Sequence, residues 1–408
     1  MQAMSSPRKE RLLLLTLAGI QFCHILDFMI VMPLGPILMR DLGLDAHEFG
    51  LLVASYSFTA AISGVLMATF VDRFERKRFL LVGFALFALA TLACGLAPNY
   101  PTLILARGIA GAFGGLMGAL VQTIVADAVP YERRATATGF VSTAFSICTV
   151  LGVPMSLWLA NWLGWRTPFI VIAVLSCVAI LIGLRVLPEL RQHLGGAKRA
   201  HPFAAMATVL RDANHLRTLL LSALIIFSGF TVIPYITVYA VGNVGISLHD
   251  IPIIYFVGGG ATLFTARFVG RLADAHGKVE VYRLVAIAAL LPLVLVTHMG
   301  PVPLWGWVAC TTAFFVLVSG RMVPAMAIIS SAAQPRLRGT FMSLNATVQS
   351  VAMGLATMLS GFIVTVDAGG KITGYPLVGY VAIAASVLAI AYVSRIVIHD
   401  QPTPAAGN

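Results

Sequence analysis

Charge is the scarcest thing in this sequence. Only 11% of the 408 residues are charged, and the acids number 16. A soluble domain carries about 25% charged and about 45–50% apolar residues, whereas here 59% are apolar and the mean hydropathy is +0.92. Too few polar groups remain to coat a water-soluble ball, which excludes a large soluble domain. Catalytic signatures are missing as well. No GxxxxGK(S/T) stretch occurs, since Gly277-Lys278 is followed by Val279, and P-loop ATP hydrolysis by this chain is therefore not expected. Neither HExxH nor GxSxG is found, so a hydrolase within the membrane has no support and no enzyme is expected. The five cysteines (Cys23, Cys94, Cys148, Cys177 and Cys310) lie inside apolar runs without paired spacing. They read as buried packing residues; no disulfide framework, metal site or cofactor is expected.

What is present is a series of long apolar runs, near residues 12–35, 49–71, 79–97, 102–126, 136–160 and 167–187, then 217–241, 250–271, 281–298, 304–330, 340–365 and 375–397. At ~20 residues per crossing, twelve helices consume ~240 residues, leaving enough chain for short loops only. Closed β-barrels would show ~10-residue alternating segments, and these runs do not alternate. With both termini in the cytoplasm, 22 of the 27 basic residues fall on cytoplasmic segments or span ends. Only Arg40, Arg166 and Lys371 lie outside, while Arg107 and Arg321 sit within spans. This is a positive-inside bias. The net charge of +11 thus reports orientation in a lipid bilayer, not nucleic-acid binding. Arg8, Lys9 and Arg11 precede a run too long for a signal peptide and interrupted by Asp27, which reads as an uncleaved first span.

The two halves of the chain resemble each other. Val31-Met32-Pro33 matches Val232-Ile233-Pro234, and Asp72-Arg73 before a basic turn matches Asp274 before Lys278. Pro130-Tyr131-Glu132-Arg133 matches Pro335-Arg336-Leu337-Arg338. Three landmarks in one order at offsets of 201, 202 and 205 divide the chain into residues 1–187, a cytoplasmic linker at 188–216, and residues 217–408.

On these residues the chain resembles a twelve-helix transporter of the major facilitator superfamily. The stretch Gly270–Lys278 is similar to that family's loop signature G-x-L-a-D-x-x-G-(R/K). Its first-half copy has Ala68 and Glu75 where glycines are usual. Arg107-Gly108-Ile109-Ala110-Gly111 resembles the fourth-helix arginine motif, and Gly152-Val153-Pro154 the core of the fifth-helix antiporter motif, with Ser156 and Leu157 replacing its trailing glycines. The resemblance implies an all-α membrane fold of two pseudo-symmetric six-helix halves that works by alternating access. It implies a cytoplasmic latch at Asp72, Arg73, Arg76 and Asp274, and a helix bend at Gly152 and Pro154. Its drug and sugar efflux branch implies export in exchange for protons from a cell inner membrane. Three other readings stay open: a proton-coupled uptake symporter, a sugar or metabolite exporter, and a receptor or scaffold that keeps the fold without transporting.

Ionisable residues within spans cost most, roughly 2.5–3.5 kcal/mol for Asp or Arg at a helix centre. Asp27 is the only acid deep in any span, with His24 and Gln21 on a similar face. A carboxylate that meets opposite sides of the membrane in turn can carry a proton, which makes Asp27 the candidate proton site, aided by His24 and by Arg107. The alternative is a structural Asp27–arginine pair. Arg321, beside Pro324, could hold an anionic substrate group or neutralise Asp27. Other cavity candidates are Phe28, Tyr56, Ser142, Ser146, Tyr235, Tyr239, Asn345 and Gln349. Serines 142 and 146, tyrosines 235 and 239, and Asn345 with Gln349 are each spaced to share a helix face. Aromatics with few charges suit a medium-sized, partly apolar solute. Gly111/Gly115, Gly114/Gly118 and Gly258-Gly259-Gly260 form small-residue tracks for close helix approach, and Pro33, Pro36, Pro154, Pro234 and Pro324 are expected to break helices. The expected working unit is a monomer with a small-molecule substrate, protons and the lipid bilayer as partners.

Overall fold

The computed structural model describes residues 7–70, 74–189, 202–334, 337–367 and 369–398. Among the described residues, twelve helices are long and apolar enough to cross a membrane. They are α1 (Arg8–Ile30), α2 (Ala46–Leu66), α3 (Arg76–Leu96), α4 (Tyr100–Ala128), α5 (Thr136–Leu163) and α6 (Arg166–Val186), followed by α7 (Ala213–Val244), α8 (Ile251–His276), α9 (Lys278–His298), α10 (Leu304–Ala332), α11 (Arg338–Ile363) and α12 (Tyr375–Arg395). An even number of crossings puts the start of α1 and the end of α12 on one side, here the terminal side; the opposite one is the far side. The protein is an all-helical, multi-pass membrane protein. Its only described strands are β1 (Thr365–Val366) and β2 (Ile372–Thr373), an antiparallel pair between α11 and α12 with Thr365 opposite Thr373.

Side-chain caps define several helix starts. Asp45 and Glu48 form a reciprocal capping box ahead of α2, with Glu48 N donating to Asp45 Oδ1 at 2.7 Å and Asp45 N to Glu48 Oε2 at 3.1 Å. Glu75, unusual for the family's loop signature, accepts from the amides of Lys77 and Arg78 and caps α3. Asp212 caps α7 through the amide of His215 at 2.9 Å, so α7 begins at Ala213, four residues before the apolar run. The stretch expected as a polar linker holds a helix of its own, Pro202–Arg211. Its Met206 and Val209 are buried against Leu219 and Phe341, and residues 190–201 lie outside the described part.

Prolines mark the breaks. Pro33 falls in the turn after α1, and Pro36 opens a short helix, Gly35–Leu42. In α5 a π-helical turn, Cys148–Gly152, immediately precedes Pro154. Pro234 sits in a 3₁₀ turn of α7, Ile233–Tyr235, and α10 is interrupted at Arg321, just before Pro324. Each break frees carbonyls that an unbroken helix would bind. Pro292, by contrast, sits inside α9 without interrupting it.

Helices α1–α6 and α7–α12 form two halves that meet along α2 with α11 and α5 with α8. Glycine makes the close approaches possible. A Cβ on Gly111 would strike the backbone of Tyr56, one on Gly114 the Tyr56 hydroxyl, and one on Gly115 the Ala60 Cβ at 2.6 Å, so α4 seats α2 directly on its backbone. Of the expected tracks, Gly118 and Gly260 face open space instead. Bulky apolar side chains such as Phe264, 79% exposed, and Trp162, 75% exposed, cover the outer surface, as lipid contact requires. Four cysteines are buried as expected, but Cys177 is exposed on α6.

Candidate functional site

The deepest charged group in the first half is an ion pair. Arg107 of α4 donates from Nη1 to Asp27 Oδ2 at 2.8 Å and to the Asp27 carbonyl at 3.1 Å. The two side chains are 1% and 0% exposed. Asp27 lies in the last turn of α1, where carbonyls lack intrahelical donors and the helix dipole is negative. Arg107 therefore satisfies both the carboxylate and the helix end. Its guanidinium also lies 4.6 Å from the ring centroid of Tyr56 in α2, a cation–π geometry. Phe28 continues the aromatic layer, 5.4 Å from Tyr56 and 6.2 Å from Phe230 of α7 in the other half.

Around this pair, polar atoms are buried without a protein partner. They include Asp27 Oδ1, Arg107 Nε, Tyr56 Oη and Thr91 Oγ1, with His24 Nε2 and Gln21 Oε1 one and two turns back along α1. Buried polar atoms ordinarily carry at least one hydrogen bond, and groups like these are where internal water is held. Such a set can keep, exchange or relay a proton. Among the described residues no group of three or more His, Cys, Asp or Glu side chains could hold a metal.

The remaining candidates are dispersed. Tyr235, fully buried, donates to the Ala46 carbonyl across the halves at 2.6 Å, and Tyr239 donates to the Met299 carbonyl at 3.0 Å with its ring tilted 35° against that of Tyr375. Tyr235 thus belongs to a far-side seal between the halves, whereas Tyr239 ties α7 to the far-side end of α9 within the second half. Asn161 of α5 adds to that seal by donating to the Leu248 carbonyl at 3.0 Å. Gly50 and Gly361 bring α2 and α11 together there: a Cβ on Gly50 would lie 2.8 Å from Tyr235 Oη. Gln349 donates to Ser222 at 3.0 Å within the second half, and Asn345 is buried with its Oδ1 unpartnered. Ser142 is exposed and donates to its own helix at the Thr138 carbonyl. Ser146 is half-buried, and its carbonyl accepts from Thr149. Gly152, at the π turn, presses against Phe22 and Leu26 of α1, so the bend at Gly152 and Pro154 lets α5 reach the helix that carries Asp27.

Arg321 does not neutralise Asp27. It is buried within the second half, donating to Ser386 Oγ at 2.8 Å, Ser228 Oγ at 3.2 Å and the Ile225 carbonyl at 3.2 Å. The terminal-side loops also depart from expectation. Asp72 and Arg73 lie outside the described residues. Arg76 is buried and pairs with Asp127 at the end of α4, Nε to Oδ2 3.4 Å. Asp274 is exposed, with no described cation in ion-pair range. Asp127 was missed because nothing in its spacing singles it out; its neighbour relation to Arg76 exists only once α3 and α4 pack. A further terminal-side cluster joins Asp212, His215 and Gln334, with Gln334 Nε2 donating to Asp212 Oδ2 at 2.8 Å and Gln334 N to His215 Nε2 at 3.2 Å. The His215 amide, with the Gln334 amide group, holds the Asp212 carboxyl below the usual carboxylate range.

The family described as Major Facilitator Superfamily matches residues 17–357. An uncharacterized MFS-type transporter of Bacillus subtilis (strain 168), YcnB, is 30% identical over 166 residues, which take in 41% of this chain and 35% of that one. The chain thus matches about a third of that relative's length. Among solved structures, a bacterial homolog of the human lysosomal transporter Spinster, inward-facing and occupied, aligns with a TM-score of 0.76 at 17% identity, covering 98% of this chain and all of that one. A point mutant of the nucleoside transporter NupG aligns at 0.76 and 15% identity, over 95% and 99% of the two chains. A D-xylose–proton symporter aligns at 0.73 and 17% identity, over 94% and 97%. At these identities the likeness is one of fold.

Proposed function

The chain belongs to the Major Facilitator Superfamily, and from that premise we propose that it is a proton-coupled efflux antiporter for a small, partly apolar organic compound. The Asp27–Arg107 pair carries the reading. It joins the only acid deep in any span to a family-motif arginine, and it is ringed by buried polar atoms that need water. Protonating Asp27 leaves Arg107 with only the carbonyl and the Tyr56 ring; losing the proton restores the pair. A site with two such states can be biased from opposite sides of the membrane in turn, which is what alternating access requires.

The terminal side is read as cytoplasmic from the bias of basic residues. The far-side seal of Tyr235 on Ala46 and Asn161 on Leu248 then corresponds to an inward-facing arrangement. Phe28, Tyr56 and Phe230 supply an aromatic wall between the halves for an apolar cargo. One proton moving down ~100 mV releases about 2.3 kcal/mol, enough for roughly a fifty-fold solute gradient. We take residues 1–187 and 217–408 as the moving halves of a monomer, with the Arg76–Asp127 pair as part of the first half's loop latch.

Proton-coupled uptake is the competing reading, favoured by Ser156 and Leu157 where the antiporter motif has glycines. Purified protein in liposomes with an imposed pH gradient, scanned over a compound panel, separates the two. Efflux antiport moves cargo against proton flow and is abolished by Asp27→Asn. Accumulation along proton flow rejects antiport, and coupled transport surviving Asp27→Asn rejects Asp27 as the proton site.

A further inference from the structure

The second half buries a cation that its own sequence does not neutralise. Arg321 is 1% exposed, and its three protein bonds all go to neutral acceptors, the hydroxyls of Ser228 and Ser386 and the Ile225 carbonyl. Those two hydroxyls are themselves 2.6 Å apart. The guanidinium Nε has no partner, and neither has the hydroxyl of fully buried Tyr282, which packs in the same core cluster as Ile225. No carboxylate can be recruited from nearby chain. From residue 213 onward the acids are Asp250, Asp274, Glu280, Asp367 and Asp400, and none lies in α7, α10, α11 or α12. Asp27, the one deep carboxylate, is held by Arg107.

The internal repeat shows what is missing. Asp27 stands six residues before Pro33 and Ser228 six residues before Pro234, so the two occupy equivalent positions on the first helix of each half. In both halves an arginine of the fourth helix reaches that position. The arginines differ in height along their helices, but the acceptors do not. One half supplies a carboxylate, the other a hydroxyl. An isolated buried ion stays costly even after relaxation, and neutral hydroxyls offset only part of that cost.

We propose that the buried polar cluster of Arg321, Ser228, Ser386 and Tyr282 binds a monovalent anion, which takes the place of the carboxylate present in the first half. Arg321 provides charge and its unpartnered Nε, the Tyr282 hydroxyl provides a second free donor, and whichever of Ser228 and Ser386 accepts across their 2.6 Å contact keeps its own hydrogen for a small anion. The anion is either a resident halide or the carboxylate of a carried solute. The inference stands independently of proton coupling and of transport direction, because it concerns a charge balance in the second half alone.

Thermal unfolding of the full-length protein in lipid nanodiscs tests it. Sodium chloride or sodium benzoate is titrated at constant ionic strength against a bulky sulfonate. Wild type is expected to show a saturable rise in Tm. Ser228→Asp, which installs the first half's carboxylate, is expected to start from a higher Tm in anion-free buffer. Its anion affinity should be weaker by about tenfold or more, the worth of a charge-assisted bond. Arg321→Gln keeps hydrogen-bonding capacity without charge and is expected to lose the response, which keeps the test decisive should Ser228→Asp fail to fold. A response to chloride identifies a resident halide, and one to benzoate alone identifies a cargo carboxylate. A wild type indifferent to both anions, or an Arg321→Gln protein that responds as wild type does, overturns the proposal.

Discussion

Cutting the Asp27–Arg107 pair from either end should cost different amounts, and the structure says which end costs more. Arg107 has three attachments: the 2.8 Å ion pair, the 3.1 Å bond to the Asp27 carbonyl and the Tyr56 ring at 4.6 Å. Asp27 has one described attachment to a cation, and its other oxygen is already without a partner. Measured at alkaline pH, where Asp27 is kept ionised, Arg107→Gln strands a buried carboxylate and is expected to lose about 3–5 kcal/mol of stability. Asp27→Asn leaves the guanidinium its carbonyl bond and a desolvated ring contact worth about 2 kcal/mol, so its loss should fall to about 1–3 kcal/mol. The double variant strands no charge and should be less destabilised than the sum of the two. Reversible unfolding in mixed detergent micelles measures all four corners of the cycle, wild type included. A coupling energy near the ~0.6 kcal/mol average for interhelical hydrogen bonds in membranes would refute the reasoning. So would an Asp27→Asn protein less stable than Arg107→Gln.

Other consequences concern the seal, the seam and a cap. Tyr235→Phe removes the 2.6 Å bond to the Ala46 carbonyl and should weaken far-side closure by about 0.5–1.5 kcal/mol, seen as faster thiol labelling of a cysteine placed on the far-side face of α7. Gly114→Leu drives a side chain into the Tyr56 ring and should destabilise the fold by about 1–3 kcal/mol; a Tm equal to wild type would show that α2 and α4 are not packed this closely. The Asp212 carboxyl is held low by the His215 amide, so the stability it gives is present above the unfolded value and lost as pH falls through the folded one. Acidification below about pH 4 should therefore destabilise wild type more than Asp212→Asn in pH-resolved unfolding.

How legible this was depended on whether a residue's role was local. The twelve spans follow from apolar length, and the breaks at Pro33, Pro154, Pro234 and Pro324 follow from a missing amide, so both could be read directly. Asp45-x-x-Glu48 is likewise a local signal. Asp27 and Arg107 stood out because a buried charge is expensive wherever it sits, although 80 positions separate them. Tyr235, Tyr239 and Gln349 were legible as polar groups needing partners but not as to which partner. Helix packing chose backbone carbonyls and Ser222 over a cavity. Ser228 and Tyr282 were invisible, since a serine or tyrosine in a span carries no penalty large enough to mark it until a buried guanidinium is placed beside it.

The position of Asp27 also bears on how a proton could move a helix. Asp27 lies in the last turn of α1, six residues before Pro33 and the turn at 31–34. At the equivalent height α7 breaks at Ile233–Tyr235, and Tyr235 there bonds across to Ala46, at the start of α2. The ion pair and the seal are thus separated by one helix break. Arg107 holds both the side chain and the carbonyl of residue 27. In the proposed cycle, protonation removes the stronger of these two holds and leaves the last turn of α1 tied by a carbonyl alone. That turn feeds the short helix Gly35–Leu42, which packs on Ile236–Tyr239 of α7. In that cycle a change in charge at Asp27 would reach the far-side contact along the interrupted first helix and its packing on the interrupted α7. Because the second half has Ser228 at the matching position, the same event cannot occur there, and the proposed cycle confines coupling through this route to one proton site on α1.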